Sequence, residues 1–194
     1  MSLQPPAELL DLRDGLSERG VVHVDGIAGL AVAISRIPYG RPSELTAEGV
    51  VADWRGTCST KHLLLRTLAP VCETGASVDL IHRIYQVTAE EAEARWGPVV
   101  ASTIPRGGLT DVHTYGRLRR AGSEVIVDVT FPIAPWDGHT PLPLACGPGE
   151  DLPAGDDLLA EKATLVAHHC DPVVREPFIA ALRAGGTSSI PGRR

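Results

Sequence analysis

The chain has 194 residues, of which 43% are hydrophobic and only 4% are aromatic, and its formal net charge is −6. This length predicts one domain spanning residues 1–194, with an aliphatic core. The acidic balance argues against nucleic acid as the main partner, because phosphate binding requires clustered Lys and Arg side chains.

The first quarter of the chain predicts short helices. A helix over 5–18 follows from the spacing of its leucines, and 21–25 is compatible with a short strand. The apolar segment 28–37 fits a buried helix by its length or a strand by its β-branched content. A helix over 43–51 is predicted with Ser43 as its N-cap.

The segment 54–66, Trp-Arg-Gly-Thr-Cys-Ser-Thr-Lys-His-Leu-Leu-Leu-Arg, organises the chain. Cys58 follows a Gly-Thr turn signal and precedes a helically spaced face of Lys61, Leu64, Leu65 and Leu68, which Pro70 limits. This places Cys58 near a helix N-terminus, where the peptide dipoles favour a thiolate over a thiol. A thiolate there is suited to nucleophilic chemistry.

The following elements predict an antiparallel sheet. Alternation predicts a strand over 77–87, and a Thr-Ala-Glu-Glu capping box predicts a short helix ending at Trp96. A connecting loop is expected over 97–108. Two further strands, around 111–118 and 124–132, are predicted to form a hairpin across a polar turn that carries a glycine.

The hairpin register decides whether His113 and Asp128 can meet. A loop at Arg120–Ala121 places them directly opposite each other, and a loop at Ala121–Gly122 places them as diagonal neighbours on one face. A three-residue loop without a bulge would separate them onto opposite faces. The first two registers let Asp128 orient the His113 imidazole, as in a Cys-His-Asp triad.

A Gly-x-Cys at a helix start, a His-x-aromatic on a strand and an Asp-x-Thr at a strand end, in this order, resemble the transglutaminase-like superfamily of papain-fold cysteine enzymes. The resemblance covers about Val50 to Pro132. It implies an α+β fold with a nucleophile helix packed on an antiparallel sheet, and it makes Cys58 the nucleophile, His113 the base and Asp128 its orienter. No aromatic residue directly follows Cys58, unlike in the cross-linking animal enzymes.

Three side chains near these motifs have two interpretations each. Trp54 either donates its indole N–H to an oxyanion, as an aromatic does in some relatives, or simply packs. Tyr115 either forms a wall of the substrate pocket or is a surface cross-strand residue. The backbone N–H of Cys58 is the more general oxyanion donor, and His62 is expected to face solvent or pack.

The last third of the chain changes in composition. Beyond the core at about 43–132, the Pro/Gly-rich segment 133–155 predicts irregular structure wrapped on the core. A last strand is predicted over 161–168 and a final helix over about 177–184, opened by Pro177. Residues 186–194 are expected to be a frayed tail.

No metal or organic cofactor is predicted. The run His168-His169-Cys170-Asp171 suggests metal ligands, with His139 and Cys146 as possible additions, but no paired zinc-type spacing supports it. No Gly-rich phosphate loop indicates a nucleotide. The sequence has neither a recognisable signal peptide nor an apolar run long enough to span a bilayer, so a cytoplasmic protein without membrane association and with reduced thiols is expected.

The predicted activity is acyl transfer or hydrolysis at an amide or peptide carbonyl through a Cys58 thioester. Its substrate would be a peptide, a protein or a small amide. Arylamine acetyl transfer is a weaker alternative, because no site for the phosphates of coenzyme A is visible. Two non-enzymatic functions are also compatible with the sequence: a non-catalytic module that binds peptides, and a partner-binding domain that uses the segment after Phe131. An exposed Cys58 within reach of His113 would favour the enzyme.

Overall fold

The computed structural model describes residues 6–20 and 24–185, and within them the chain forms eight helices and four strands. In chain order they are α1 (Ala7–Gly20), α2 (Gly26–Ser35), α3 (Ala47–Asp53), α4 (Cys58–Cys72), β1 (Ser77–Val87), α5 (Ala89–Trp96), α6 (Pro98–Ala101), β2 (Leu109–Arg120), β3 (Ser123–Val127), β4 (Gly149–Pro153), α7 (Leu158–His169) and α8 (Pro172–Gly185).

The four strands form one antiparallel sheet in the order β3-β2-β1-β4. The predicted α+β class with an antiparallel sheet is therefore confirmed. The predicted strand over 77–87 is confirmed along its whole length as β1. Pairing of Arg120 with Ser123 leaves Ala121 and Gly122 as the hairpin loop, the second of the predicted registers. Gly122 has a φ of 76°, a left-handed conformation that favours glycine.

The main core lies between the amino-terminal helices and the sheet, and its buried members are all Leu, Ile, Val or Ala. The predicted aliphatic core is thus confirmed for this cluster. Helix α4 contributes Leu64, Leu65 and Leu68 to it and packs against β1 and β2. Pro70 lies within the last turn of α4, which ends at Cys72 rather than before the proline.

Two predictions in the first quarter of the chain are refined. Segment 28–37 belongs mostly to α2, so the helical alternative is correct. Helix α3 begins at Ala47 and not at Ser43, because the N-cap is Thr46, whose side chain accepts from the Gly49 N–H. The strand expected over 21–25 falls largely on residues 21–23, which lie outside the described residues.

The carboxyl-terminal predictions need larger corrections. The strand predicted over 161–168 is wrong: these residues belong to α7, whose N-cap Asp157 accepts from the Ala160 N–H. The final helix begins at Pro172 rather than Pro177, because Asp171 accepts from the Val173 N–H and starts the helix earlier.

Regular structure also occurs in two segments that were expected to be irregular. Strand β4 lies within the Pro/Gly-rich segment 133–155 and pairs with β1, and α6 interrupts the loop over 97–108. The predicted tail, 186–194, lies outside the described residues. No helix in the described ranges is both long and apolar enough to cross a membrane.

Candidate active site

Cys58 is the first residue of α4, so the prediction that it lies at a helix N-terminus is confirmed. A reciprocal capping box closes the helix start: the Thr57 hydroxyl accepts from the Thr60 N–H, and the Thr60 hydroxyl accepts from the Thr57 N–H at 2.9 Å. A helix start leaves four N–H groups without intrahelical partners. The capping box satisfies two of them, which leaves the amides of Cys58 and Ser59 for a bound anion.

Gly56 fixes the approach of the chain to the nucleophile. Its N–H donates to the Pro38 carbonyl, and its own carbonyl accepts from the Gly40 N–H. A Cβ atom at this position would lie 2.7 Å from Cγ of Lys61, closer than two non-bonded carbon atoms can approach. A glycine is therefore required two residues before Cys58.

The hairpin brings the predicted base and orienter together. His113 Nε2 lies 2.8 Å from Asp128 Oδ2, and both side chains are buried. Asp128 follows β3 directly and also accepts from the backbone N–H groups of Ala145 and Thr130, at 2.8 and 3.0 Å. Because a carboxylate only accepts, His113 carries a proton on Nε2. Its other ring nitrogen, Nδ1, is left for the thiol.

The His113 imidazole is close enough to the Cys58 thiol to lower its pKa, an interaction expected of a Cys-His-Asp triad. Burial raises the pKa of Cys58, but the Lys162 ammonium and the His113 imidazole outweigh it and lower that pKa to about 5. Burial disfavours a charged His113, yet the Asp128 carboxylate and the thiol raise its pKa well above its ordinary value. The His113 charge in turn outweighs burial and lowers the pKa of Asp128. These shifts favour a thiolate beside an imidazolium at neutral pH.

Cys58 meets only half of the expectation for an enzyme, because it lies within reach of His113 but is only 6% exposed. A lysine from α7 contacts it: Lys162 Nζ lies 2.9 Å from Cys58 Sγ and 3.2 Å from Thr114 Oγ1. The sequence carries no local signal for this contact, because the two residues are 104 positions apart. The incorrect prediction of a strand at 161–168 also obscured the face that Lys162 presents.

His62 neither faces solvent nor merely packs, which corrects the expectation for this residue. It is 0% exposed, its Nε2 accepts from the Val129 N–H at 3.1 Å, and its Nδ1 lies 2.7 Å from the Cys58 carbonyl oxygen. Since Nε2 accepts, Nδ1 carries the proton and donates to that carbonyl. Burial lowers the pKa of His62 to about 4, so the ring is neutral near pH 7. His62 thus ties the nucleophile to the residue after Asp128.

Lys61 also links the helix that carries the nucleophile to neighbouring segments. It is fully buried, and its Nζ donates to the carbonyl oxygens of Ser35 at 3.1 Å and Thr130 at 2.8 Å. Burial lowers the pKa of Lys61 to about 7. The side chain therefore connects α2 and α4 to the segment that carries Asp128.

The two aromatic candidates have structural roles. Trp54 caps α3 in a left-handed conformation and packs against the aliphatic core, which fits the packing interpretation. Tyr115 is fully buried, so the interpretation as a surface residue is wrong. Its hydroxyl donates to Asp151 at 3.1 Å, and the Arg83 guanidinium lies over its ring. Tyr115 and Arg83 together hold β4 against the sheet.

The other cysteines differ from Cys58. All four cysteines are free, and burial raises the pKa values of Cys72, Cys146 and Cys170. No group of three or more His, Cys, Asp or Glu side chains in 6–20 and 24–185 is placed to hold a metal ion. His168 and His169, considered as ligands from the sequence, are exposed in the last turn of α7.

Comparison with known proteins gives no match: no family model, no curated protein and no solved structure matches this chain. The function is therefore inferred from the residues of the site.

Proposed function

We propose that this chain is a transglutaminase-like cysteine enzyme that performs acyl transfer or hydrolysis at an amide or peptide carbonyl. The observation that carries the proposal is the arrangement of the three predicted residues. Cys58 begins a helix, the neighbouring His113 imidazole lowers the pKa of its thiol, and Nε2 of that ring lies 2.8 Å from Oδ2 of the buried Asp128. A helix packed on an antiparallel sheet, with His113 on one strand and Asp128 directly after another, also supports a papain-like core.

The arrangement supports a thioester mechanism. The Cys58 thiolate adds to the carbonyl carbon, and the π electrons move onto the oxygen, towards the amides of Cys58 and Ser59. The His113 imidazolium donates a proton to the leaving nitrogen as the C–N bond breaks. Water or an amine then attacks the thioester, with His113 accepting its proton, and the C–S bond breaks to release the product and restore the Cys58 thiolate. Asp128 keeps the proton of the neutral ring on Nε2 and stabilises the imidazolium.

A second candidate is a non-catalytic interaction module with the same fold. The burial of Cys58, which is only 6% exposed, favours this alternative. The lowered pKa of the thiol opposes it, because a structural cysteine in an apolar interior has a raised pKa. Reactivity towards a small acyl donor distinguishes the two candidates.

Acylation by p-nitrophenyl acetate tests the proposal without knowledge of the natural substrate. We expect a stoichiometric burst of p-nitrophenolate and an acetyl group on the Cys58 peptide, detected by mass spectrometry. Cys58→Ala should abolish the burst, and His113→Ala should slow it by about 10²–10⁴-fold, the usual contribution of a general base. Cys72, Cys146 and Cys170 are internal controls. Acetylation of Cys58 no faster than that of these three thiols would contradict the proposal.

A further inference from the structure

Lys162 lies in a polar cluster beside the nucleophile that the triad does not use. Its Nζ contacts Cys58 Sγ at 2.9 Å and Thr114 Oγ1 at 3.2 Å. The Thr114 hydroxyl is also 3.2 Å from Ser59 Oγ and 3.1 Å from His82 Nδ1. The cluster thus joins α7, α4 and both central strands at the thiol.

The charges around Lys162 make the thiolate its counterion. Within the described part of the chain, no carboxylate lies within ion-pairing distance of Lys162. The neighbouring Glu161 carboxylate accepts instead from the Gly155 N–H at 2.8 Å. His82 is buried, and burial followed by the Lys162 charge lowers its pKa to about 4, so its ring is neutral near pH 7. Near pH 7 the cations closest to Cys58 are therefore Lys162 and His113, and the buried Lys61, whose pKa is about 7, also interacts electrostatically with the thiol.

The position of Lys162 also matters once a substrate is present. Addition of the thiolate to a carbonyl forms the S–C bond and transfers the negative charge from sulfur to the carbonyl oxygen. An ammonium group in contact with the sulfur needs to move only slightly to donate to that oxygen. Thr114 Oγ1, which Lys162 also contacts, anchors Nζ during this movement.

We propose that Lys162 is a fourth catalytic residue, which holds Cys58 as a thiolate in the free protein and then donates to the oxyanion of the tetrahedral adduct. In this scheme Lys162 supplies positive charge and hydrogen-bond donors, while His113 moves the proton. The first role is independent of the proposed function, and the second rests on it.

The first role is tested by the rate of alkylation of Cys58 by iodoacetamide against pH. Lys162→Met should raise the apparent pKa of Cys58 by about 1–3 pH units, the usual effect of an opposite charge in contact. Lys162→Arg should restore most of the shift. The exposed Arg106→Met removes the same unit of charge and should leave the profile unchanged. If Lys162→Met raised the plateau rate of alkylation at high pH but left the apparent pKa of Cys58 unchanged, Lys162 would only cover the thiol. That result would overturn the proposal.

The second role is tested by comparing two reagents at a pH where Cys58 is a thiolate in every variant. Alkylation by iodoacetamide forms no oxyanion, whereas acylation by p-nitrophenyl acetate does. Lys162→Met should slow acylation about 10²–10³-fold, as expected for loss of an oxyanion donor, and leave alkylation nearly unchanged. An equal effect on both reactions would overturn the oxyanion role.

The results separate this inference from the proposed function. Absence of acylation in the wild-type protein would refute the enzyme, while the alkylation profile of Lys162→Met would still report on the thiolate pair. A wild-type burst that depends on His113 but not on Lys162 would keep the triad and refute the fourth residue. Lys162→Gln, a polar neutral replacement, repeats both measurements if Lys162→Met does not fold.

Discussion

Replacement of Asp128 by Asn should slow the acylation of Cys58 by about 10⁴-fold, the loss expected when the orienting carboxylate of such a triad becomes an amide. Three N–H groups donate to Asp128: His113 Nε2 and the backbone amides of Ala145 and Thr130. An Asn side chain has one acceptor oxygen and one NH₂ group. At least one of the three donors would therefore face another donor.

The consequence for catalysis depends on which donor loses its partner. If the NH₂ group replaces Oδ2, it faces both His113 and the Ala145 N–H; the ring must then place its proton on Nδ1 and can no longer accept the proton of the thiol. If it replaces Oδ1, the buried Thr130 N–H is left unpaired. We therefore also expect the free energy of unfolding to fall by about 1–3 kcal/mol, the cost of an unsatisfied buried group.

Burst kinetics with p-nitrophenyl acetate and urea unfolding measure the two effects. Asp137→Asn is a matched control, because Asp137 accepts from the backbone amides of His139 and Thr140 at an exposed site. It should change the burst rate little. If Asp128→Asn retained an acylation rate within tenfold of the wild type, Asp128 would not be the orienter of His113.

Replacement of His62 by Leu should have the largest effect on stability. The ring joins two buried backbone groups, the Cys58 carbonyl and the Val129 N–H. A Leu side chain fills most of the volume of the ring but forms a hydrogen bond to neither group. We therefore expect the free energy of unfolding to fall by about 2–5 kcal/mol. Urea unfolding followed by tryptophan fluorescence measures this change. The exposed His168→Leu is the control and should change stability by less than about 0.5 kcal/mol.

The same variant has a pH signature whose sign follows from the lowered pKa of His62. In the unfolded chain the ring binds a proton below about pH 6.5, whereas in the folded protein it does so only below about pH 4. Between these values protonation favours the unfolded state, so wild-type stability falls as the pH falls. The stability difference between wild type and His62→Leu should shrink over this range. A constant difference would show that His62 is not buried as a neutral ring.

The parts of the site that the sequence predicts are those that depend on local signals. The turn before Cys58 and the spacing after it place the nucleophile at a helix start, and the strand at 77–87 follows from alternation. The hairpin loop at Ala121–Gly122 was one of three registers, and the sequence alone does not choose among them. Gly122 decides the matter, because its left-handed conformation suits the second loop position.

The parts that could not be predicted depend on contacts between distant segments. Lys162 and Cys58 meet only because α7 packs beside the start of α4, and His62 meets Val129 across 67 positions. Strand β4 is rich in residues that disfavour strands, and it forms because the edge of β1 and the Arg83–Asp151 ion pair hold it. Neither propensity nor periodicity encodes such pairings.

The most direct test of the central claim is the rate of alkylation of the four cysteines against pH, in wild type and in His113→Ala, read by peptide mass spectrometry. Cys58 should titrate near pH 5, while Cys72, Cys146 and Cys170 should titrate above the ordinary thiol value. His113→Ala should raise the apparent pKa of Cys58 and leave the other three unchanged. An ordinary profile for Cys58 that does not depend on His113 would contradict the thiolate–imidazolium pair and favour an interaction module.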